Sequence, residues 1–190
     1  MAYQDHFKLV DDVASHLDAA VEAVDAFLQS RYVGFYAVAS AAVIELALKE
    51  IVVSFAEMNH PLFGGYLASR YERINGRVRL EDITKEHLKP FGQRFQKRFN
   101  LLLKRVDRYY IPRMGYSVKL SYEALLTCRH QFAHEGNVPA NIGYVDIKRG
   151  FEAGKIVMAC LAKTLNKAVQ PIAATGTDKG GEIVEQRQPG

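Results

Sequence analysis

Between residues 5 and 31, apolar side chains return at Leu9, Val13, Leu17, Val21, Val24 and Leu28, while Asp11, Asp12, Asp18, Glu22 and Asp25 fall largely between them. That spacing buries one stripe and leaves the carboxylates to water, so it predicts an amphipathic first helix. After Gly34 a second helix is predicted to about Met58. Its small residues, Ala37, Ala39, Ser40, Ala41 and Ala42, allow close approach by neighbours and place it at the centre of a bundle; His60, Pro61 and the Gly64-Gly65 pair end it. A polar, less periodic connection follows to about Lys89, with short helices expected over 67–73 and 81–88. A third main helix is predicted over 92–109, with Phe95, Phe99, Leu102 and Val106 on one face and Pro112 and Gly115 as its stop. A fourth begins at 116 or 120, runs to 133 and ends near Gly136, a natural residue for the position after a helix, with Pro139 beyond. A fifth spans about 145–169 and carries Gly150 and Gly154, a spacing of two small residues that permits a tight helix crossing. Strand alternation and internal repeats are absent from this pattern. The expectation is an all-α bundle of four to five main helices, with short helices in the 60–90 connection, forming one domain over residues 1–170. The tail 171–190, rich in Gly and polar residues, reads as disordered.

Composition narrows the class. A 190-residue chain with 48% hydrophobic and 24% charged residues can bury a sizeable core as one unit. Two cysteines, Cys128 and Cys160, are too few for a disulfide framework, and both sit in apolar helical stretches, so reduced thiols and a cytoplasmic location are expected. The first residues lack the basic and apolar regions of a secretion signal. The long apolar stretch 32–56 carries Glu45, Lys49 and Glu50, which suits a core helix and not a lipid-spanning one, so no membrane partner is expected.

The net charge of +4 is unevenly spread. Residues 70–113 hold thirteen Lys and Arg against five Asp and Glu, an excess of +8, which leaves 12 basic and 16 acidic residues, or −4, elsewhere. On the third helix Arg94, Arg98 and Arg105 line one flank of the apolar stripe, and Lys97, Lys104 and Arg108 continue around the same side. A band of this kind suits a polyanion such as RNA, because phosphate neutralisation supplies most non-specific affinity. A solvated helix face would give the same pattern.

The stretch RHQFAHEG, Arg129 to Gly136, carries the candidate chemistry. His130 and His134 stand four residues apart on a helix, about 6 Å from each other, which permits shared metal binding. The zinc hydrolase signature, however, has Glu directly after the first His, where this chain has Gln131, and a third ligand does not stand out. Alternatively, His134 caps the negative end of its helix. That accounts for His134 but not for Arg129, one and a third turns earlier on roughly the same side.

A third reading comes from resemblance. Arg129, the polar His130, then Gln131, Phe132, Ala133 and His134 give R-x4-H at the end of the penultimate helix of an all-helical chain, which resembles the HEPN superfamily. Glu45-Leu46-Ala47-Leu48-Lys49 resembles the E-x-x-x-K core of the second helix in that superfamily, FEAGKIVMACLAKTL its final helix, and PFGQRFQKRF the RiboL-PSP type; the similarity covers residues 8–170. It implies a helical bundle that dimerises and brings two R-x4-H motifs to one cleft, and a metal-independent endoribonuclease without a cofactor. RNA brings its own nucleophile, the 2′-hydroxyl, so the protein needs a proton carrier near neutral pKa and a cation for the phosphorane charge. His134 and Arg129 are those groups, and the products would carry a 2′,3′-cyclic phosphate and a 5′-hydroxyl.

His130 stands where many relatives have Asn or Asp, and a role in orienting the scissile phosphate is open to it. Glu45 is expected to support the site through an ion pair with Arg129; pairing with Lys49 at i+4 is the alternative. Arg94, Lys97, Arg98, Lys104, Arg105 and Arg108 are the expected RNA-binding residues. Cys128 is expected to be a packed residue and not a nucleophile. Relatives commonly act in prokaryotic defence or toxin–antitoxin systems, so an antitoxin or defence partner protein is implied. The H-x-Y arrangement through which a nucleotidyltransferase silences some of them is replaced here by His134-Glu135-Gly136. Some members do not cut RNA, and a non-catalytic module that binds RNA or a protein through the basic band is the competing expectation.

Overall fold

Asp25 decides where the longest helix begins. In the computed structural model of the chain, which describes residues 3–72 and 76–166, its carboxylate accepts the Leu28 N–H at 2.9 Å and caps α2, Ala26–Asn59. This satisfies one of the orphan donors of a helix start. The predicted first helix therefore divides. α1 covers Asp5–Ala20, one 3-10 turn follows over Val21–Ala23, and α2 starts eight residues before Gly34. The buried stripe of α1 also differs from expectation. Phe7, Val10 and Ala14 are buried and Leu9 is 68% exposed. Steps of four residues overshoot a 3.6-residue turn by about 40° each, so a stripe drawn through Leu9 and Val13 drifts off the face that packs. Nor do all the acidic residues of α1 face only water. Asp11 meets Lys155 at 2.5 Å and Asp18 meets Lys148 at 2.6 Å, tying α1 to the last helix.

His60 is extended and ends α2; Pro61 then opens α3, Pro61–Glu72, as a first-turn residue whose missing N–H costs nothing. A short α4, Leu80–Asp82, continues into a wider turn over Ile83–His87 and a 3-10 turn over Lys89–Phe91. α5, Gln93–Met114, passes through Pro112 and stops at Gly115, φ 73°, five residues beyond the predicted end. Pro112 is near enough to the terminus that only one exposed ladder bond is forgone. α6 is Val118–Glu135 and α7 is Tyr144–Asn166. Among the described residues there is no strand, and no helix is long and apolar enough to cross a membrane. The tail 171–190 and the end of the predicted fifth helix lie outside the described residues.

α2 is the axis of the bundle, with α1, α3, α6 and α7 packed around it. Ala37, Ile44, Ala47, Leu48, Ile51 and Val52 are almost wholly buried. The expected tight crossings are present: a Cβ on Gly150 would lie 2.7 Å from Leu125 Cβ of α6, and one on Gly154 2.3 Å from Ile44 of α2. α7 therefore seats against both helices that carry the candidate site.

His87 closes the connection. Its Nε2–H donates to the Arg77 carbonyl at 2.7 Å, and the Tyr71 hydroxyl donates to its Nδ1 at 2.6 Å, in a site where the imidazole is 2% exposed. Burial holds its pKa below the ordinary value of 6.5. As pH falls past 6.5 the unfolded chain takes up this proton first, so the contribution of neutral His87 is complete above that pH and is lost on acidification toward the lower folded-state pKa. The urea midpoint of the wild type is expected to fall between pH 7.5 and 5.5. A His87→Asn variant, less stable throughout, is expected to show a shallower fall; parallel curves would exclude this source.

Candidate functional site

The end of α6 is fixed by local chemistry and by α2. Gly136, φ 69°, takes the left-handed conformation after the helix, and its N–H closes on the Phe132 carbonyl at 2.9 Å. Arg31 of α2 donates to the Gly136 carbonyl at 2.5 Å while lying over the Phe27 ring at 4.9 Å. Phe132, in the middle of the motif, rests directly on the bare backbone of Gly34, where a Cβ would stand 2.1 Å from its ring, and the Phe35 ring meets it edge-on at 5.3 Å. One glycine in α2 thus sets how closely the motif's helix end docks.

That docking opens a small recess of about 60 Å³ lined by Ala41, Glu45, Gly76, Val78, Arg79, Leu126, Arg129 and His130. Arg129 is half-buried there and makes no hydrogen bond or ion pair with any described residue. The expected Glu45–Arg129 ion pair does not form. Glu45 is 2.8 Å from Lys49 Nζ, the i+4 alternative, and accepts the Gly76 N–H at 2.7 Å. Two ready donors are closer to its carboxylate than the guanidinium, which lies over Gly76, 3.5 Å from where a Cβ would be. Glu45 therefore supports Arg129 indirectly, through the loop beneath it.

Arg129 and His134 do not share a side within one chain. Five residues at 100° each leave them about 140° apart, and His134 is exposed outside the recess. His130 links the two: its ring is 4.5 Å from that of His134, so the imidazoles form a pair beginning at the recess and ending in solvent. Neither imidazole hydrogen-bonds to a described residue. Among the described residues no group of three or more His, Cys, Asp or Glu is placed to hold a metal ion. Cys128 is fully buried, and burial pushes its thiol up to about 11, which leaves it a packing residue.

Of the expected RNA-binding cations on α5, none lines the recess. Asp107 accepts from Ser117 Oγ at 2.9 Å and from the Lys119 N–H at 3.2 Å, which puts Lys104, Arg105 and Arg108 beside the start of α6. The motif lies at the other end of that helix, about 22 Å away at 1.5 Å per residue. Arg94, Lys97 and Arg98 lie on the first turns of α5, which the Gln96 amide ties to the Thr84 carbonyl at 2.8 Å. The other arginine that lines the recess is instead Arg79, from the 76–79 loop. Nothing in the periodicity marked that residue; its only sequence signal was the local excess of positive charge.

A helical bundle whose penultimate main helix ends in R-x4-H on a central E-x-x-x-K helix is a HEPN domain. Residues 4–167 match the RiboL-PSP-HEPN family model, and the chain belongs to that family. No curated protein and no solved structure matches it.

Proposed function

We propose that this protein is a metal-independent endoribonuclease that works as a homodimer, in the cytoplasm, as a toxin or defence effector held in check by a partner protein. One observation supports this reading above others. A half-buried guanidinium and the His130 imidazole line an open recess at a helix end, the His134 ring lies against that imidazole from the solvent side, and none of the three side chains bonds to any described residue. Buried and half-buried polar groups normally find partners, so an uncommitted guanidinium at a pocket suits a ligand.

The chemistry follows from these groups. One His134 accepts the proton of the 2′-hydroxyl as its oxygen attacks the adjacent phosphorus. The 2′-O–P bond forms, the P–O5′ bond breaks, and the second His134 of the dimer returns a proton to the departing 5′-oxygen. Arg129 holds the non-bridging oxygens, whose charge grows in the phosphorane, and His130 orients the phosphate between them. The His134 rings are exposed in one chain, so two chains are needed to enclose the reacting bond. Leu28, Phe35, Ala42 and Leu46 are exposed along one face of α2 beside the motif, and a second copy would cover that apolar stripe.

The test is cleavage of mixed single-stranded RNAs in excess chelator, with the product ends characterised and the mass of the active species measured by light scattering. Cyclic phosphate and 5′-hydroxyl ends from a dimer are expected. Binding without cleavage would leave the non-catalytic module.

A further inference from the structure

Behind the recess lies a second and larger depression. It measures about 570 Å³ and is lined by Arg70 of α3, Arg77, Lys85, Glu86, Lys89 and Pro90. The two depressions share a wall. Gly76, Val78 and Arg79 face the recess, while Arg77, between them, faces the groove. Residues two apart on such an extended segment stand about 7 Å from each other, so Arg77 and Arg79 present cations on the path from one depression to the next.

We propose that this groove is a second RNA subsite, which takes the sugar-phosphate backbone of a single strand beyond the nucleotides at the cleavage point. The inference rests on the ribonuclease reading above. Size assigns the two depressions different contents. About 60 Å³ admits a phosphate-sized group and little more, whereas pockets that hold a small molecule run from about 300 to 1,000 Å³. Charge points the same way: four cations face one carboxylate, Glu86 is already engaged by Arg77 at 2.6 Å, and Lys85 pairs with Glu81 outside the groove lining at 2.5 Å. Arg70 and Lys89 are exposed, and their side chains form no hydrogen bond or ion pair with any described residue.

The shared wall is fixed at every residue, which a subsite that sets register requires. The Gly76 N–H donates to Glu45 at 2.7 Å, the Arg77 carbonyl accepts from His87 at 2.7 Å, and the Val78 carbonyl accepts the Tyr122 hydroxyl at 2.6 Å. The Arg79 N–H donates to Asp82 at 3.2 Å, and the next N–H, of Leu80, to Glu123 at 3.1 Å. Anchors from α2, the 83–87 turn and α6 thus hold Arg77 and Arg79 on a stiff rail whose first residue lies under Arg129.

The experiment compares the full-length wild type with an Arg70→Ala/Lys89→Ala variant, which leaves both ion-paired cations of the groove and the whole recess intact. The substrates are a ribodinucleotide and a single-stranded oligoribonucleotide. For the wild type, kcat/KM on the oligomer is expected to exceed that on the dinucleotide by at least about tenfold. The variant is expected to lose that advantage and keep its dinucleotide rate. Its slope of log kcat/KM against log salt should shrink by about 1.4, two contacts at about 0.7 each on a single strand. Equal rates on both substrates for the wild type, or an advantage and slope retained by the variant, would overturn the proposal. Binding of a 2′-O-methyl oligomer, read by fluorescence anisotropy, separates the two claims. Affinity lost in the variant while wild type cuts nothing sinks the catalytic reading and upholds the groove. Cleavage with affinity unchanged in the variant does the reverse.

Discussion

RNA cleavage is expected to fall by about 10²- to 10⁴-fold in His134→Ala if the proposed reaction holds, the usual contribution of a positioned proton carrier, while the unfolding free energy is expected to move by no more than about 0.5 kcal/mol. The second half of that expectation separates two accounts of one residue. His134 lies in the last turn of α6, where an imidazolium could complement the helix dipole. If that were its main role, alanine would cost about 0.3–1 kcal/mol and would leave cleavage nearly untouched. The local geometry argues otherwise. The helix end is already closed by Gly136 and by Arg31 on the Gly136 carbonyl, and the His134 ring bonds to neither. Arg129→Lys provides the companion measurement. It retains the charge but loses the planar fork, so a large loss of kcat with little change in stability identifies bidentate phosphate contact as the function of that side chain. Cleavage at wild-type rate by His134→Ala would end the catalytic proposal.

What was legible in the sequence, and what was not, follows from the range of the interactions involved. The end of α6 was readable because Gly136 and Pro139 act within a few residues of it. The α7 crossings were readable because two glycines four apart leave a visible mark. The start of α2 was missed although Asp25 is a standard cap, because apolar residues on both sides of it continued a plausible helical period across the break. The burial of Val10 in place of Leu9 turned on a drift of about 40° per step, which a stripe of similar aliphatic residues conceals. The partner of Glu45 was a choice between a neighbour at i+4 and a residue 84 positions away. The chain used the neighbour and then added the Gly76 N–H, a backbone donor that no side-chain pattern encodes. For the same reason the 76–79 rail could not be foreseen. Its position depends on Glu45, His87, Tyr122 and Glu123, which converge only after three helices have packed.

The second large effect is expected at a residue with no chemistry of its own. Gly34→Ala would place a methyl 2.1 Å from Cδ2 and 2.5 Å from Cγ of Phe132. No rotation about the ring axis relieves contact with Cγ, so the whole ring must leave. Alanine favours a helix interior over glycine by about 1 kcal/mol, and on an open surface the substitution would stabilise α2. Here the clash acts against that gain, and overpacking of a docked helix costs about 1–3 kcal/mol. A net loss of up to about 2 kcal/mol is therefore expected, with a larger relative effect on cleavage. The displaced ring is two residues from His130 and His134, and a shift of about 1 Å in a catalytic group can cost 10²-fold. Phe132→Ala, which removes Cγ together with the ring, is expected to cost much less in the Gly34→Ala background than in the wild type, so a double-mutant cycle should give a coupling between these positions well above about 0.5 kcal/mol. Additive effects, or a Gly34→Ala protein that is more stable and fully active, would show that the motif's helix end does not depend on this contact.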